Sequence, residues 1–511
     1  MFLLSLIIFL PLLGGIALLF LPAERLAVIR WSALGIAGVE LILAIALTLV
    51  YLQSQTSIFS TSSVHENIQW IASLGINYSL DVDGISLLLV MLTALLTPVC
   101  IGASFYIEQK AKNYMAFMLL LESGIIGVFL ASNLFLFYIF WEVMLIPAYF
   151  LVGSWGGERR IYAAFKFVLY TSVGSFLMLA GIIALGYYHQ LAGNGCNYTL
   201  DLNTLLSSAS TCRMGGDVQT WLLLAFAAAF AVKVPFVPFH SWLPDAYSEA
   251  PAPVTAMLAG AMAKAGAYGF LRFVIPLFPL AARNLAPLFS ILAIIGILYC
   301  AVMALVQTDL KRLLGYSSIS HLGVIMLGMF AFTTQGVEGS VLQMVNHGIT
   351  IAALFLIVGF LERRTGTRRL GNFGGLASRA PWLATVMLIA SLSSLGLPGL
   401  NSFAGEFLTL IGVFRANIVF GILGTAVVVP AAWYMLRFFL SIMAGPRVQE
   451  GVVAANVRKG LLNDLSFGEF WVLAPLLALI FYIGIQPYGL IWVLEQSVPN
   501  VMNSLGSAFI K

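Results

Sequence analysis

The sequence is short of charge. Of its 511 residues, 25 are Lys or Arg and 21 are Asp or Glu, a charged fraction of 9% against 61% hydrophobic. Soluble domains carry about 25% charged and about 45–50% apolar residues. Polar linkers are missing as well, although a soluble chain of this length would be expected to split into several domains. The four cysteines, Cys100, Cys196, Cys212 and Cys300, include no CxxC pair, so no iron–sulfur or structural zinc ligand set is present. The five histidines are scattered, and neither a Walker loop nor an HExxH motif occurs. GNFGG at 371–375 lacks the strand and the GxGxxG spacing of a dinucleotide fingerprint. A net charge of +4 without a basic block gives nucleic acid no footprint. The expectation is a chain that holds no redox cofactor, nucleotide or metal of its own.

What the sequence does have is apolar runs of about 20 residues, almost end to end, each long enough to cross a bilayer core as a helix. The runs do not alternate, which excludes a barrel. The fold class expected is an all-α polytopic membrane protein. Hydropathy gives fourteen spans, near 2–21, 31–52, 84–107, 114–132, 133–153, 163–187, 219–240, 253–274, 286–306, 313–333, 341–361, 382–410, 417–443 and 470–494. The first is not expected to be a cleaved signal peptide: no cation precedes it, and LPAER follows where small residues would be needed. The Lys and Arg residues at 25–30, 110–112, 159–160, 311–312, 363–379 and 447–459 all fall in alternate loops. The opposite loops and tail hold only Arg213, Arg283, Arg415 and Lys511. By the positive-inside rule both termini face away from the cytoplasm, and the Ser/Thr/Asn-rich loops 53–82 and 188–218 lie outside. The inside loop 445–468 is expected to carry a short surface helix.

Two spans are interrupted by proline, AVKVPFVPFH at 231–240 and SLGLPGLNSFAGEF at 394–407. Proline frees backbone carbonyls, which a membrane tolerates only where protein or a wet cavity satisfies them. The two interrupted spans, seven and twelve, are five apart. Spans four to eight and nine to thirteen are therefore readable as repeats, and because five is odd, as inverted ones. The expected organisation is 1–107 (spans one to three), 108–275 (first repeat), 276–443 (second repeat) and 444–511 (inside segment and span fourteen).

A charge at mid-bilayer costs at least about 2.5–3.5 kcal/mol on insertion scales, so each is a functional candidate. Glu142 stands in LFLFYIFWEVMLIPAYFL, Lys233 just before the first break, Lys264 in MLAGAMAKAGAYGF, and Glu406 after the second break. The bland reading is a snorkelling lysine or a Glu–Lys staple between helices; snorkelling could rescue Lys233 but hardly Lys264 or Glu142. His321 and His347 lie in spans ten and eleven, where an ordinary hydrogen-bonded histidine weighs evenly against a relay. Chains of Glu, Lys and His able to titrate near neutrality are what proton conduction requires. Glu122 could partner Glu142 from the neighbouring helix. Asp245 and Asp309 sit at inside helix edges, where capping or ion pairing is the simpler role.

The stretches KVPFVPFHSWLPDAYSEAPAPV (233–254), QTDLKRLLGYSSISHLG (307–323) and LGLPGLNSFAGEF (395–407) resemble the antiporter-like subunits of proton-pumping NADH:quinone oxidoreductase, respiratory complex I. The resemblance extends over most of the chain. Glutamate at 406, where the L and N branches would have lysine, and the lack of a long lateral helix make it most similar to the subunit M, or chain 4, branch. Tyr247 departs from the frequent histidine of a PDAH motif. APAPVTAMLAGAMAK leans toward the photosynthetic, ferredoxin-using version of the complex.

The resemblance implies two inverted five-helix repeats about a hydrophilic axis. It also implies Glu142 paired with Lys233, Lys264 as a mid-axis relay and Glu406 as the outlet, with His321 and His347 near the axis. We expect Glu142, from an unbroken helix, to approach Lys233 near mid-membrane. Quinone and NAD(P)H or ferredoxin would be used by other subunits. Partners would be sister antiporter-like subunits, a quinone-reducing hydrophilic arm and the lipid of a bacterial inner or cyanobacterial thylakoid membrane. The competing readings are a subunit of an Mrp-type sodium/proton antiporter or membrane-bound hydrogenase, which share these motifs, and a non-conducting scaffold. Cys196 and Cys212 share the outer loop between spans six and seven; a disulfide and two free thiols are equally open. NYT at 197–199 reads as a chance sequon.

Overall fold

A computed structural model describes residues 2–56, 64–71, 75–193, 195–208, 211–212, 214–445, 453, 463–495 and 497–507. The surface helix expected within 445–468 lies largely outside the described residues.

Among the described residues, 10 helices are long and apolar enough to cross a membrane. The other four expected spans are also present. The first is short, α1 (Leu3–Leu18), and the tenth is rich in serine. The seventh and twelfth are broken. Spans two to four are α2 (Leu26–Thr56), α3 (Gly84–Ala103) and α4 (Ala111–Leu130). Span five is two helices, α5 (Leu134–Val143) and α6 (Leu145–Trp155), interrupted at Met144. Met144 keeps helical backbone angles, so span five still runs as one membrane-length helix, Leu134–Trp155, with its hydrogen-bond ladder nicked at one residue. Pro147 has no N–H for the carbonyl of Val143, so the ladder fails one residue past the glutamate.

Span six is α7 (Arg160–Leu191), joined through the short α8 (Leu202–Ser207) to α9 (Gly216–Lys233), the first half of span seven. After the break come α10 (Trp242–Glu249) and span eight. Span eight is not regular: α11 (Ala252–Met257) and α12 (Lys264–Gly269) alternate with π-helical stretches at Leu258–Met262 and Phe270–Val274, ending in α13 (Ile275–Leu277). The second half runs through α14 (Pro279–Val306), α15 (Leu310–Met329) and α16 (Thr334–Thr365). Span twelve is α17 (Pro381–Ser394) and α18 (Asn401–Ala416), and span thirteen is α19 (Ile418–Thr425) with α20 (Val428–Met443). Span fourteen is α21 (Phe467–Ile485) followed by α22 (Tyr488–Glu495), and α23 (Val498–Ser507) closes the described chain.

The loop 53–82 holds structure that periodicity did not signal. It is an antiparallel hairpin, β1 (His65–Ile71) on β2 (Ile76–Asp81), in register from His65 opposite Asp81 to Ile71 opposite Ile76. Glu66 accepts the backbone N–H of Leu4 at 2.8 Å, pinning the hairpin to α1. Asp83 caps α3 and pairs with Arg272 of span eight at 2.7 Å. In the loop 188–218 Cys196 and Cys212 are bridged, with a Cα–Cα distance of 6.0 Å.

Burial tells the centre from the rim. Span eight and α16 have 100% of their apolar windows buried, against 28% for α2 and 22% for α21. A helix apolar all round and buried all round is a core helix. These two central helices carry Lys264 and His347.

Candidate functional site

The first break places Lys233. Pro235 offers no N–H, so Phe236 N reaches back five residues to the Ala231 carbonyl at 2.8 Å. That leaves the Val232 carbonyl free, and the Trp242 indole takes it at 2.9 Å. The helix therefore ends at Lys233 with its carbonyls satisfied inside the bundle, as a membrane requires. Span eight closes on this end at Gly266, where a Cβ would stand 3.0 Å from Lys233 Cβ and from Val234 N. Any larger residue would require these neighbours to give by a few tenths of an ångström.

Lys233 Nζ is buried and has no hydrogen-bond partner. It lies 5.4 Å from the ring centroids of both Trp141 and Phe167, within cation–π range. Glu142 is its electrostatic neighbour, yet no ion pair closes between them, and Glu142 Oε1 is buried without a partner. The two face each other without an ion pair: the aromatic rings seat the ammonium, and Glu142 stands one residue before the end of α5, beside Tyr138.

The other four candidates stand in one row, as two hydrogen-bonded pairs whose histidine rings face each other. Lys264 Nζ donates to the Ala259 carbonyl in the π-helical stretch at 2.6 Å and meets His347 Nδ1 at 2.7 Å. An ammonium has donors only, so with lysine charged Nδ1 must accept and the ring proton sits on Nε2. The His347 and His321 rings are 5.6 Å apart between centroids. His321 Nδ1 meets Glu406 Oε1 at 2.6 Å, and Tyr434 approaches its Nε2 at 3.4 Å. Gln343 donates to the same Glu406 oxygen at 2.9 Å. Glu406 reaches this point because Gly396 and Gly399, both at positive φ, turn the chain between α17 and α18. Spans eight, eleven, ten and twelve thus each contribute one titratable group.

The remaining sequence candidates fall elsewhere. Asp245 pairs with Lys166 at 2.8 Å and Arg312 at 2.7 Å, and Asp309 caps α15 and pairs with Arg368 at 3.2 Å. Both do the structural work expected of them. Tyr247 is buried edge-on to Phe355, its hydroxyl without a partner. Glu122 does not partner Glu142; its electrostatic neighbour is Glu40 of α2. Sequence reasoning missed Lys166 and Glu40. Each is a lone charge inside an apolar run, AFKFVLY and GVELILA, and the rule that flagged Glu142 would have found both. At the hairpin, burial lifts the Asp81 carboxyl above its ordinary range while Arg272 pulls it down.

Broken helices whose ends and neighbours carry buried ionisable groups define a polytopic membrane protein with an intramembrane polar row. Residues 131–431 match the family described as NADH:quinone oxidoreductase/Mrp antiporter, TM. The chain is 38% identical to the NADH-quinone oxidoreductase subunit M of Rickettsia bellii over 98% of both chains. It superposes on a chain of respiratory complex I from Thermus thermophilus with a TM-score of 0.85 and 30% identity, covering 98% of this chain and 99% of that one. It shares its fold with a chain of the Mrp complex from a Dietzia species, at a TM-score of 0.81 and 23% identity, covering 99% and 100%. The chain belongs to the NADH:quinone oxidoreductase/Mrp antiporter transmembrane family.

Proposed function

We propose that this chain is a proton-translocating membrane-arm subunit of a quinone-reducing complex of the NADH dehydrogenase type. In this reading, protons move along Glu142, Lys233, Lys264, His347, His321 and Glu406, driven by electron transfer in other subunits. The observation that carries it is the line from Lys264 through both histidines to Glu406. Two hydrogen-bonded pairs of titratable groups, Lys264–His347 at 2.7 Å and His321–Glu406 at 2.6 Å, face each other across ring centroids 5.6 Å apart. A structural staple needs one pair, not a row.

Histidine suits the middle of the row because small changes in its surroundings move its charge across the physiological range. The lysines fit because burial disfavours the ammonium and a nearby acid restores it. A proton reaching the Lys264 side would repel Lys233 toward Glu142 and close that face-off into an ion pair. When it passes on to Glu406, the pair reopens.

Regions 108–275 and 276–443 are read as the two inverted repeats, with the proline breaks of spans seven and twelve in corresponding places. Both termini are placed on the periplasmic or lumenal side, following the loop cations. Sister antiporter-like subunits and a hydrophilic arm that reduces quinone are the partners, and the electron donor is NAD(P)H or ferredoxin. Membership of an Mrp-type antiporter is the second reading, favoured by the shared fold alone at 23% identity. Purifying the native complex in mild detergent separates them. Quinone-reducing and iron–sulfur subunits are expected with this chain, and a set of small antiporter subunits in their place would contradict the reading.

A further inference from the structure

Away from the row, a groove of about 770 Å³ opens on the rim of the bundle. Its floor is α3, where Leu95, Pro98, Val99 and Gly102 follow at helical spacing and so share one face. One wall is α2, from Trp31 to Leu41, and the other is the start of α21, from Gly468 to Pro475. These two walls belong to the least enclosed helices, with 28% and 22% of their apolar windows buried. Pro98 and Pro475 both line the groove; each removes one ladder bond from its helix and brings no long side chain to fill the space.

The depth of the groove limits what can occupy it. Ten residues separate Trp31 from Leu41, which is about 15 Å along a helix at about 1.5 Å per residue. That is half of a hydrocarbon core of about 30 Å. A spanning helix would need a seat along the whole core, whereas an acyl chain needs only one leaflet. Trp31 and Trp471 stand in the groove more than half exposed, as aromatic side chains do at a membrane interface.

The mouth is cationic. Arg30 donates to the Ile107 carbonyl at 3.1 Å, and Arg363 of α16 lies over the neighbouring Tyr106 ring at 4.5 Å, so two guanidiniums meet the turn after α3. Among the described residues neither has a carboxylate partner, and Arg30 Nε is buried without any. The acids nearby do not cancel them. Glu469 is held by Arg364 and by Ser466, and Glu362 by Lys311 and Arg368. Glu108 is exposed and forms no ion pair among the described residues. Spare positive charge at the head of an apolar, leaflet-deep groove complements an anionic lipid, and the guanidinium fork suits a phosphate.

We propose that this groove is a binding site for an anionic phospholipid. One acyl chain lies on α3 between α2 and α21, and Arg30 and Arg363 hold the headgroup phosphate. Bound in this way, the lipid braces α2, α3, α16 and α21 against one another. The inference rests on the chain being a polytopic membrane protein and not on the proton reading.

The test is photo-cross-linking of the assembled complex in vesicles containing phosphatidylglycerol or phosphatidylcholine with a diazirine in one acyl chain, the labelled peptides being mapped by mass spectrometry. Phosphatidylglycerol should label the stretches 95–103 and 468–475 several-fold more than phosphatidylcholine does. The double variant Arg30→Gln, Arg363→Gln should lose that preference and fall to the phosphatidylcholine level. Equal labelling by the two lipids in wild type would overturn the proposal and leave ordinary boundary lipid. Absence of label from both stretches would overturn it too, since a neighbouring subunit seated in the groove would give that result. Should the double variant fail to assemble, Leu34→Trp takes its place, filling the groove while keeping both arginines. Loss of label from 468–475 then supports the site, and wild-type labelling overturns it.

Discussion

Lys264 is held by two bonds of different kinds, one to a backbone carbonyl and one to a titratable ring. Removing the ring tests which matters. In His347→Ala, one buried ammonium hydrogen bond is unmade at a cost of about 1–3 kcal/mol. Coupled proton transfer should then slow by about tenfold or more, with assembly checked on native gels. His347→Gln retains an acceptor but cannot carry a proton, so it should restore assembly and not transfer. Full transfer in the glutamine variant would remove His347 from the row. These six positions were legible in the sequence because a membrane leaves few reasons for a charge inside an apolar run. Their contacts were not. The Lys264–His347 bond joins residues 83 apart, and no local pattern encodes it. Likewise the rings of Trp141 and Phe167 around Lys233 belong to an aromatic-rich core that composition cannot sort.

At the scale of elements, proline spoke plainly in two spans and was overlooked in a third. The breaks at 231–240 and 394–407 were readable from VPFVP and LPG. Span five looked continuous because Pro147 acts on a carbonyl four residues back, at Val143, so the interruption falls beside Glu142 and away from the proline. The π-helical turns of span eight carry no sequence mark at all. The hairpin at His65–Asp81 escaped because the loop was weighed for charge and not for alternation. The first break depends on Trp242. Trp242→Phe should leave the Val232 carbonyl unsatisfied and lower stability by about 1–3 kcal/mol, read as a fall in the melting midpoint of detergent-solubilised complex. An unchanged midpoint would mean that another donor replaces the indole. In the loop 188–218, the bridge between Cys196 and Cys212 spans 16 positions. By the chain-entropy relation a loop of this size gains about 3 kcal/mol. Mass spectrometry of unreduced peptides should find the two cysteines linked, and two free thiols would contradict the bridge.

For the molecule as a whole, the layout puts polar chemistry at the centre and lipid-compatible helices at the rim. Span eight and α16 are enclosed, and each broken helix delivers one ionisable group inward, Lys233 from α9 and Glu406 from α18. One end of the bundle is laced by ion pairs such as Lys166–Asp245–Arg312 and Lys311–Glu362, which tie spans six, ten and eleven to one another and to α10 after the first break. The central claim is that Glu142 and Lys233 open and close as protons pass, so the acid must be able to carry charge. It is tested most directly by proton uptake into vesicles, measured per quinone reduced, with complex assembled around Glu142→Gln. The account predicts intact assembly with coupled pumping nearly abolished, while Glu142→Asp retains part of it. Full pumping by an assembled Glu142→Gln complex would contradict it.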